Sequence, residues 1–172
     1  MNIFEILILA VVEGLTEFLP VSSTGHLILT AAILRLPKTD FIKTFEIFIQ
    51  LGAILAVVSI YRLSFWSNRK TLLYIFSSFL PTAIVGSVFY KLIKEKLLEN
   101  ELIVVISLLV GGIILIILEK ILGQKKQPVK EIENIGILRA FIIGIFQSLS
   151  VVPGVSRAAA SIIGGISLGL SR

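Results

Sequence analysis

Six apolar runs, separated by short charged segments, follow one another along the chain. They cover about residues 3–34, 45–61, 72–90, 102–118, 137–152 and 158–170. A helix that crosses the hydrocarbon core of a bilayer needs about 20 residues, and the second, third and fourth runs fit that length once tilt and borders are allowed. Polar motifs interrupt the other three. The pattern predicts an all-α, polytopic membrane helical bundle with discontinuous or re-entrant half-helices.

Composition supports a membrane protein. Of the 172 residues 56% are hydrophobic and 16% are charged, and the mean hydropathy is +1.00. Soluble domains average about 45–50% apolar and about 25% charged residues, so the surplus apolar surface must face lipid. We therefore expect one integral membrane domain over residues 1–172.

Charge and cysteine content narrow the expected partners. The net charge is +5, and the lysines and arginines flank the apolar runs. Such cations meet anionic headgroups, so we expect membrane lipids rather than nucleic acid as partners. The chain contains no cysteine, which excludes disulfides, thiolate metal sites and a cysteine nucleophile.

An internal repeat links two of the interrupted runs. Residues 13–25 align without gaps with residues 147–159, which places Glu13 on Gln147 and Ser22 on Ser156. Three predicted spans lie between the two copies, and an odd number gives them opposite orientation. The alignment predicts an inverted repeat, with repeat 1 at about residues 1–90 and an incomplete repeat 2 at about 102–172. Chance similarity of two Pro-Ser breaks is the alternative.

A pair of carboxylates lies inside the first run. Glu13 and Glu17 are four residues apart, so a helix presents both on one face. Such a pair is costly in an apolar run unless it binds a cation, shares a proton or lines a wet cavity. In a transporter the pair could bind protons or sodium, and in a phosphatase it could hold Mg²⁺ or Ca²⁺ against pyrophosphate oxygens. Glutamates that point to interfacial water are the alternative.

Immediately after the carboxylates the first motif breaks the helix and begins another. Pro20 ends the preceding helix, and Ser22 and Ser23 suit the start of a new half-helix whose free N–H groups favour phosphate. Gly25 permits close approach of backbone or ligand. His26 lies on the helix face of the two serines, which favours a general acid or base role over a structural one.

The second motif, Pro153 to Arg157, repeats this half-helix entry and adds an arginine. An arginine in an apolar segment needs an anionic partner, and its planar guanidinium matches phosphate bidentately. Gln147, six residues before Pro153, is expected in the polar wall of the same cavity. The alternative for Arg157 is that its side chain extends to a lipid headgroup at the end of a span.

These motifs resemble a known family. Residues 13–26 are similar to the Glu-Gly-x-Thr-Glu…Ser-Ser-Thr-Gly-His region of undecaprenyl-pyrophosphate phosphatases, membrane enzymes linked to bacitracin resistance. Residues 153–157 resemble the family's Pro-Gly-x-Ser-Arg motif, and residues 45–57 resemble its second helix. The resemblance covers essentially the whole chain. It implies hydrolysis of undecaprenyl pyrophosphate to the monophosphate, the carrier lipid for peptidoglycan, in the bacterial plasma membrane.

Residue chemistry then suggests roles for the motif side chains. Glu13 and Glu17 would hold a divalent cation, Mg²⁺ or Ca²⁺, on the diphosphate, while Arg157 would stabilise charge on the transferred phosphoryl group. Either Ser23 attacks the phosphorus with His26 as base, or His26 activates water directly, and the sequence leaves both routes open. The residues expected to bind substrate are Ser22, Thr24, Gly25, Gly154, Ser156 and Gln147.

The chain departs from the family pattern in two ways. The family usually continues Ser-Gly-x-Thr after Ser-Arg, but Ala158 lacks the hydroxyl and Ser161 replaces the threonine. Family members also continue through further membrane helices, so we expect a C-terminally truncated form. Without the resemblance, a transporter or flippase for an anionic lipid or phosphate is the rival, since it shares inverted repeats and broken helices. Glycine pairs at 111–112 and 164–165 allow close helix packing and leave a homo-oligomer open.

Overall fold

Helices form every regular element that the structure describes. The computed structural model describes residues 1–97, 100–122 and 135–170. Within these ranges the α-helices are α1 (Ile3–Thr16), α2 (Ser23–Ile33), α3 (Asp40–Ser67), α4 (Arg69–Val88), α5 (Tyr90–Leu92), α6 (Glu101–Leu122), α7 (Ile137–Ser148) and α8 (Arg157–Ser167). A π-helical turn (Ile93–Leu97) follows α5, and a 3₁₀ turn (Leu149–Val151) follows α7. The predicted all-α class is confirmed.

Three helices are long and apolar enough to cross a membrane. They comprise Asp40–Arg62 of α3, Arg69–Val88, which is all of α4, and Glu101–Leu118 of α6. Only 11%, 11% and 6% of these three stretches is buried inside the protein, so most of their apolar side chains face outward, as lipid-exposed helices require. The second, third and fourth apolar runs therefore form helices of the length and composition that a membrane span needs, as predicted.

Polar residues between the runs begin the helices. Asn2 and Glu5 form a capping box at α1, in which each side chain accepts the other residue's backbone N–H at 2.9 and 2.7 Å. The Thr39 side chain accepts from Ile42 at the start of α3, and Asn68 accepts from Lys70 at the start of α4. These caps satisfy N–H groups that have no partner within the helix.

The four helices that flank the two polar motifs are too short to span. α1 has 14 residues, α2 and α8 have 11 each, and α7 has 12. At 1.5 Å per residue they are roughly 16–21 Å long, whereas the hydrocarbon core is about 30 Å thick. α1 packs on α2, and α7 packs on α8, so each short pair forms a helical hairpin. The predicted discontinuous half-helices are confirmed.

Close packing against α4 fixes the second hairpin in place. The contact between α4 and α7 is the most extensive in the molecule, and Gly144 lies in it. A Cβ atom at Gly144 would come within 2.2 Å of the Ser78 carbonyl oxygen, so only glycine allows this approach. The Ser77 hydroxyl also donates to the Ile137 carbonyl at 3.2 Å.

A small core beneath the first hairpin connects it to α6. Leu9, Leu27 and Val104 are fully buried there, and α2 packs against α6. A Cβ atom at Gly25 would lie 3.1 Å from the Leu108 side chain, which shows how closely the two helices approach. The first hairpin thus packs against α3 through α1 and against α6 through α2, whereas the second packs mainly against α4.

The proposed division into repeats stays a prediction. Residues 98–99, 123–134 and 171–172, which include part of the predicted second repeat, lie outside the described residues. Gly111 and Gly112 of α6 have no atom within 4 Å of an added Cβ, whereas Gly164 and Gly165 pack within the chain. A homo-oligomer also remains a prediction.

Candidate active site

The first helix break lies between α1 and α2. α1 ends at Thr16, and the Ser22 side chain accepts the N–H of Gly25 at 3.4 Å to begin α2. Ser22 has a φ of 62°, in the left-handed region that residues other than glycine rarely adopt. Such strain persists only where the surroundings enforce it, and it is concentrated at functional sites.

The second break lies between α7 and α8. The chain leaves α7 through the 3₁₀ turn, passes Pro153 and Gly154, and begins α8 at Ser156, whose side chain accepts the N–H of Ala159 at 3.1 Å. Gly154 has a φ of 91°, and a Cβ atom there would lie 2.6 Å from the Val104 carbonyl oxygen. Gly154 is therefore required for the turn, and it also lines a second, largely apolar cavity.

A polar cavity of about 220 Å³ lies where the two breaks meet. Residues from both motifs line it, which brings together side chains that are more than 120 positions apart in sequence. Seven predicted site residues are among them: Glu17, Ser22, Ser23, Thr24, Gln147, Ser156 and Arg157. The predicted meeting of the two motifs at one cavity is thus seen in the structure.

Glu13 is buried beside Glu17, one of the residues that line this cavity. Its side chain is 2% exposed, and no N–H or O–H group of the described residues donates to its carboxylate oxygens. Glu17 and Arg157 are the charged groups that act on it electrostatically. A buried carboxylate without partners is unfavourable unless a proton or a cation compensates it.

Ser23 and Glu17 form a direct pair in the cavity. The Ser23 hydroxyl donates a hydrogen bond to Glu17 Oε2, and Ser23 itself is 7% exposed. A carboxylate that accepts a serine proton is placed to activate that oxygen as a nucleophile. From the sequence, Glu17 is predicted to hold a cation; its pairing with Ser23 is not evident there, because it depends on how the chain folds back after Pro20.

His26 lies one helical turn after Ser22 and faces a different cavity. Its Nδ1 bonds to the Ser22 carbonyl oxygen at 2.8 Å. A carbonyl can only accept, so Nδ1 carries the proton and Nε2 of the neutral ring is free to act as a base. His26 lines a largely apolar cavity of about 880 Å³, bounded mainly by α2, α6 and α8. Ser156 lines both cavities and connects them.

Arg157 brings positive charge to the polar cavity. It is the first residue of α8, and no salt bridge to it is formed within the described part of the chain. The guanidinium is therefore free to bind an anion, with the N-terminal N–H groups of α8 beside it.

Two carboxylates are the acidic ligands that this site offers a metal. Among the described residues no cluster of three or more His, Cys, Asp or Glu side chains could hold an ion. Mg²⁺ is commonly bound by one or two carboxylates together with substrate phosphates, so this donor set suits Mg²⁺ once a diphosphate is present. The partnerless oxygens of Glu13 fit such a ligand.

Three polar residues near the cavity were missed as site residues. Ser150 and Ser161 line it, and the Thr82 hydroxyl of α4 accepts a hydrogen bond from Gln147. Ser161 is four residues after Arg157, so helical spacing could have placed it on the same face. Thr82 gives no such signal, because only tertiary packing brings α4 to Gln147. Ala158, where the family has a serine, also lines the cavity.

Known proteins are similar to this chain over its full length. The family model described as bacitracin resistance protein BacA matches residues 6–172. A protein of Aquifex aeolicus named undecaprenyl-diphosphatase is 48% identical over 172 residues, which are all of this chain and 67% of that protein. Proteins of the same name from Wolinella succinogenes and Sulfurihydrogenibium sp. are 45% and 48% identical over all of the chain, covering 66% and 67% of their own lengths.

The chain therefore spans about two thirds of the length of these curated relatives. Both polar motifs that line the cavity fall within the matched residues. With a family model matched almost from end to end and nearly half of its residues shared with each relative, the chain belongs to the bacitracin resistance protein BacA family.

Proposed function

We propose that the chain hydrolyses undecaprenyl pyrophosphate to undecaprenyl phosphate and inorganic phosphate, as a multi-pass protein of the bacterial plasma membrane. The observation that carries the proposal is the Ser23 hydroxyl, hydrogen-bonded to Glu17 in a polar cavity that Arg157 also lines. The relatives' name, undecaprenyl-diphosphatase, supplies the substrate class. A nucleophile paired with a base is a feature of a hydrolase, whereas transport requires neither.

The first step is attack by Ser23 on the terminal phosphorus. A bond forms between Oγ and phosphorus, the bridging P–O bond breaks, and the hydroxyl proton passes to Glu17. Undecaprenyl phosphate leaves, and the phosphoryl group stays on Ser23. The hydrogen bond from Ser23 to Glu17 supports this route over direct attack by water.

Water then releases the phosphoryl group from Ser23. His26 is assigned to this step, because its Nε2 lone pair can take a proton from water while Nδ1 stays bonded to the Ser22 carbonyl. Attack of this water on phosphorus breaks the Oγ–P bond and releases inorganic phosphate. The proton that Glu17 took in the first step returns to Ser23 Oγ, and the proton on His26 passes to the departing phosphate. In this proposal Glu17 replaces His26 as the base for Ser23, and His26 acts only on the water of the second step.

Arg157 and the helix N-termini stabilise the phosphoryl charge. Positive groups aimed at developing charge in a water-poor site contribute much of the rate enhancement in such reactions. Thr24 and Ser156 line the same cavity and are assigned to phosphate binding with Ser22 and Gln147. Gly25 and Gly154 contribute through close packing, against Leu108 and the Val104 carbonyl respectively.

A divalent cation, Mg²⁺ or Ca²⁺, would be held by Glu13 and Glu17. When bound, such an ion neutralises phosphate oxygens as a Lewis acid. The partnerless oxygens of Glu13 support this assignment, and two carboxylates alone imply that substrate oxygens complete the ligand set.

The prenyl chain would occupy the apolar cavity. This cavity of about 880 Å³ adjoins the phosphate cavity through Val155 and Ser156, so a diphosphate in one places its lipid tail in the other. Its volume suits the first isoprene units, and the rest of the chain would extend between helices into lipid.

The test is phosphate release from undecaprenyl pyrophosphate by the purified chain in detergent, with Mg²⁺ and with EDTA. We expect metal-dependent release that Ser23→Ala lowers at least about 1,000-fold, as loss of a nucleophile does in other hydrolases. Ser87→Ala is the matched control, since Ser87 is exposed on α4 and bonds only within its own helix. Full activity of Ser23→Ala, or no release from a folded wild-type sample, contradicts the proposal.

A further inference from the structure

Gln147 is held by side chains from two other helices. It stands at the end of α7 and lines the polar cavity. Its amide nitrogen donates to the Thr82 hydroxyl of α4 at 3.2 Å. Its amide oxygen accepts from the Ser161 hydroxyl of α8 at 3.1 Å.

One set of proton directions satisfies all three hydrogen bonds of this chain. A hydroxyl has a single proton, and that of Thr82 is directed to the Gly144 carbonyl oxygen at 3.5 Å. Thr82 then accepts from Gln147, with the amide nitrogen towards α4 and the oxygen towards Ser161. The proton of Ser161 is used in turn, so Ser161 has only lone pairs left for the cavity.

One N–H of Gln147 remains after these bonds are counted. The amide nitrogen carries two protons, and Thr82 takes one of them. In a cavity that already contains the Glu17 carboxylate and the Ser161 lone pairs, an anionic ligand needs donors. An amide free to rotate would present its oxygen as readily as its nitrogen, and the oxygen would repel a phosphate.

We propose that Thr82 is a positioning residue for diphosphate recognition: with Ser161 it holds the Gln147 amide so that the second N–H donates to a phosphate oxygen. The inference rests on the proposed function, because it takes the ligand of the cavity to be a diphosphate. Through Thr82, helix α4 would then contribute to the site, although Thr82 lies 65 residues before Gln147 in the sequence.

The first half of the chain contains a weaker counterpart. There the Gln50 amide of α3 donates to Thr24 at 3.5 Å, and Thr24 rather than the glutamine lines the cavity. In that pair the Gln50 amide orients a hydroxyl that lines the cavity. Around Gln147, in contrast, two hydroxyls orient an amide that lines the cavity. Of these two arrangements, the one around Gln147 leaves an amide N–H for an anion in the cavity.

The experiment measures binding of methylene diphosphonate, a diphosphate that cannot be hydrolysed, by thermal stabilisation of the purified chain. Thr82→Val removes the hydroxyl at constant shape, and we expect it to weaken binding about fivefold, the effect of one hydrogen bond. Thr82→Ser keeps the hydroxyl and is expected to bind within about twofold of wild type. Thr44→Val is the matched control, because Thr44 is exposed on α3 and bonds only to Asp40 of its own helix.

A double-mutant cycle separates positioning from general support of the fold. If Thr82 acts through Gln147, adding Thr82→Val to Gln147→Leu weakens binding no further than Gln147→Leu alone. The inference would be overturned if the double variant lost affinity by the product of the two single losses. It would also be overturned if Thr82→Val bound methylene diphosphonate as tightly as wild type. Failure of the proposed function gives a different result: methylene diphosphonate binds with the expected variant pattern, while undecaprenyl pyrophosphate is not hydrolysed.

Discussion

The break between α1 and α2 and the break between α7 and α8 begin their second helix in the same way. Ser22 and Ser156 each accept the N–H of the residue three positions later, at 3.4 and 3.1 Å. Each break thereby turns the start of an 11-residue half-helix towards one polar cavity. Both motifs have a serine shortly after a proline, two residues after Pro20 and three after Pro153, and that serine supplies the shared cap.

The two breaks differ in charge and in the place of strain. The first carries Glu13 and Glu17, and its unusual φ falls on Ser22; the second carries Arg157, and its unusual φ falls on Gly154. The aligned residues Glu13 and Gln147 also differ, since the buried acid has no hydrogen-bond partner and the amide has two. Both breaks thus have the same local structure, but the first supplies the base and the nucleophile and the second supplies the anion-binding group.

The strongest expected effect concerns the strained turn of the second break. Gly154→Ala would place a Cβ atom 2.6 Å from the Val104 carbonyl at a φ of 91°. We expect the free energy of unfolding in detergent to fall by about 3 kcal/mol from strain and overpacking together. Gly14→Ala is the control, because nothing lies within 4 Å of its added Cβ. Equal stability of the two variants would contradict the tight turn.

The next largest effect tests the charge difference between the breaks. Arg157→Lys keeps the charge but loses the planar pair of donors, so we expect kcat/KM to fall about 100-fold, or about 2.7 kcal/mol of transition-state stabilisation. Arg139→Lys on α7, which lies outside both cavities, is expected to keep full activity. An active Arg157→Lys enzyme would show that a point charge suffices.

A smaller effect concerns the aligned pair of Glu13 and Gln147. In the presence of methylene diphosphonate, Mg²⁺ at ten times its Kd is expected to stabilise wild type by about 1.4 kcal/mol through mass action. Glu13→Gln keeps the shape of the buried side chain but removes its charge, so the Mg²⁺-dependent shift in melting temperature should disappear. Its stability in EDTA should equal or exceed that of wild type, because the uncompensated buried carboxylate is gone. A persistent Mg²⁺ shift would place the cation elsewhere.

Much of the fold followed from the lengths of the apolar runs. The three spans and the short half-helices reflect simple geometry, since a run either matches the bilayer core or is broken by proline and serine. The serine caps were likewise readable, because Ser22 and Ser156 each follow a proline. The prediction that Pro20 ends the preceding helix is wrong, since α1 already ends at Thr16. The sequence does not reveal which residue absorbs the strain of each turn, because that depends on neighbours such as Val104.

The candidate site was predicted where spacing along one helix decides it and missed where packing between helices decides it. Helical spacing brought Ser22, Ser23 and His26 to one end of α2, but not the Nδ1 bond that directs the ring. Pairing of Ser23 with Glu17 depends on the turn between α1 and α2. Thr82 reaches Gln147 only through the α4–α7 contact, which no local pattern encodes.

The smallest effect isolates the strain itself. Ser22→Gly and Ser156→Gly both remove a capping hydroxyl and both add the same backbone freedom to the unfolded chain, so these two costs cancel in the comparison. What remains is the backbone conformation, with φ of 62° at Ser22 and −71° at Ser156. Glycine relieves the backbone strain at position 22, but position 156 has no such strain to relieve. Ser156→Gly should therefore be about 1 kcal/mol less stable than Ser22→Gly in chemical unfolding. Equal losses would mean that Ser22 is not strained, and the two breaks would then differ in charge alone.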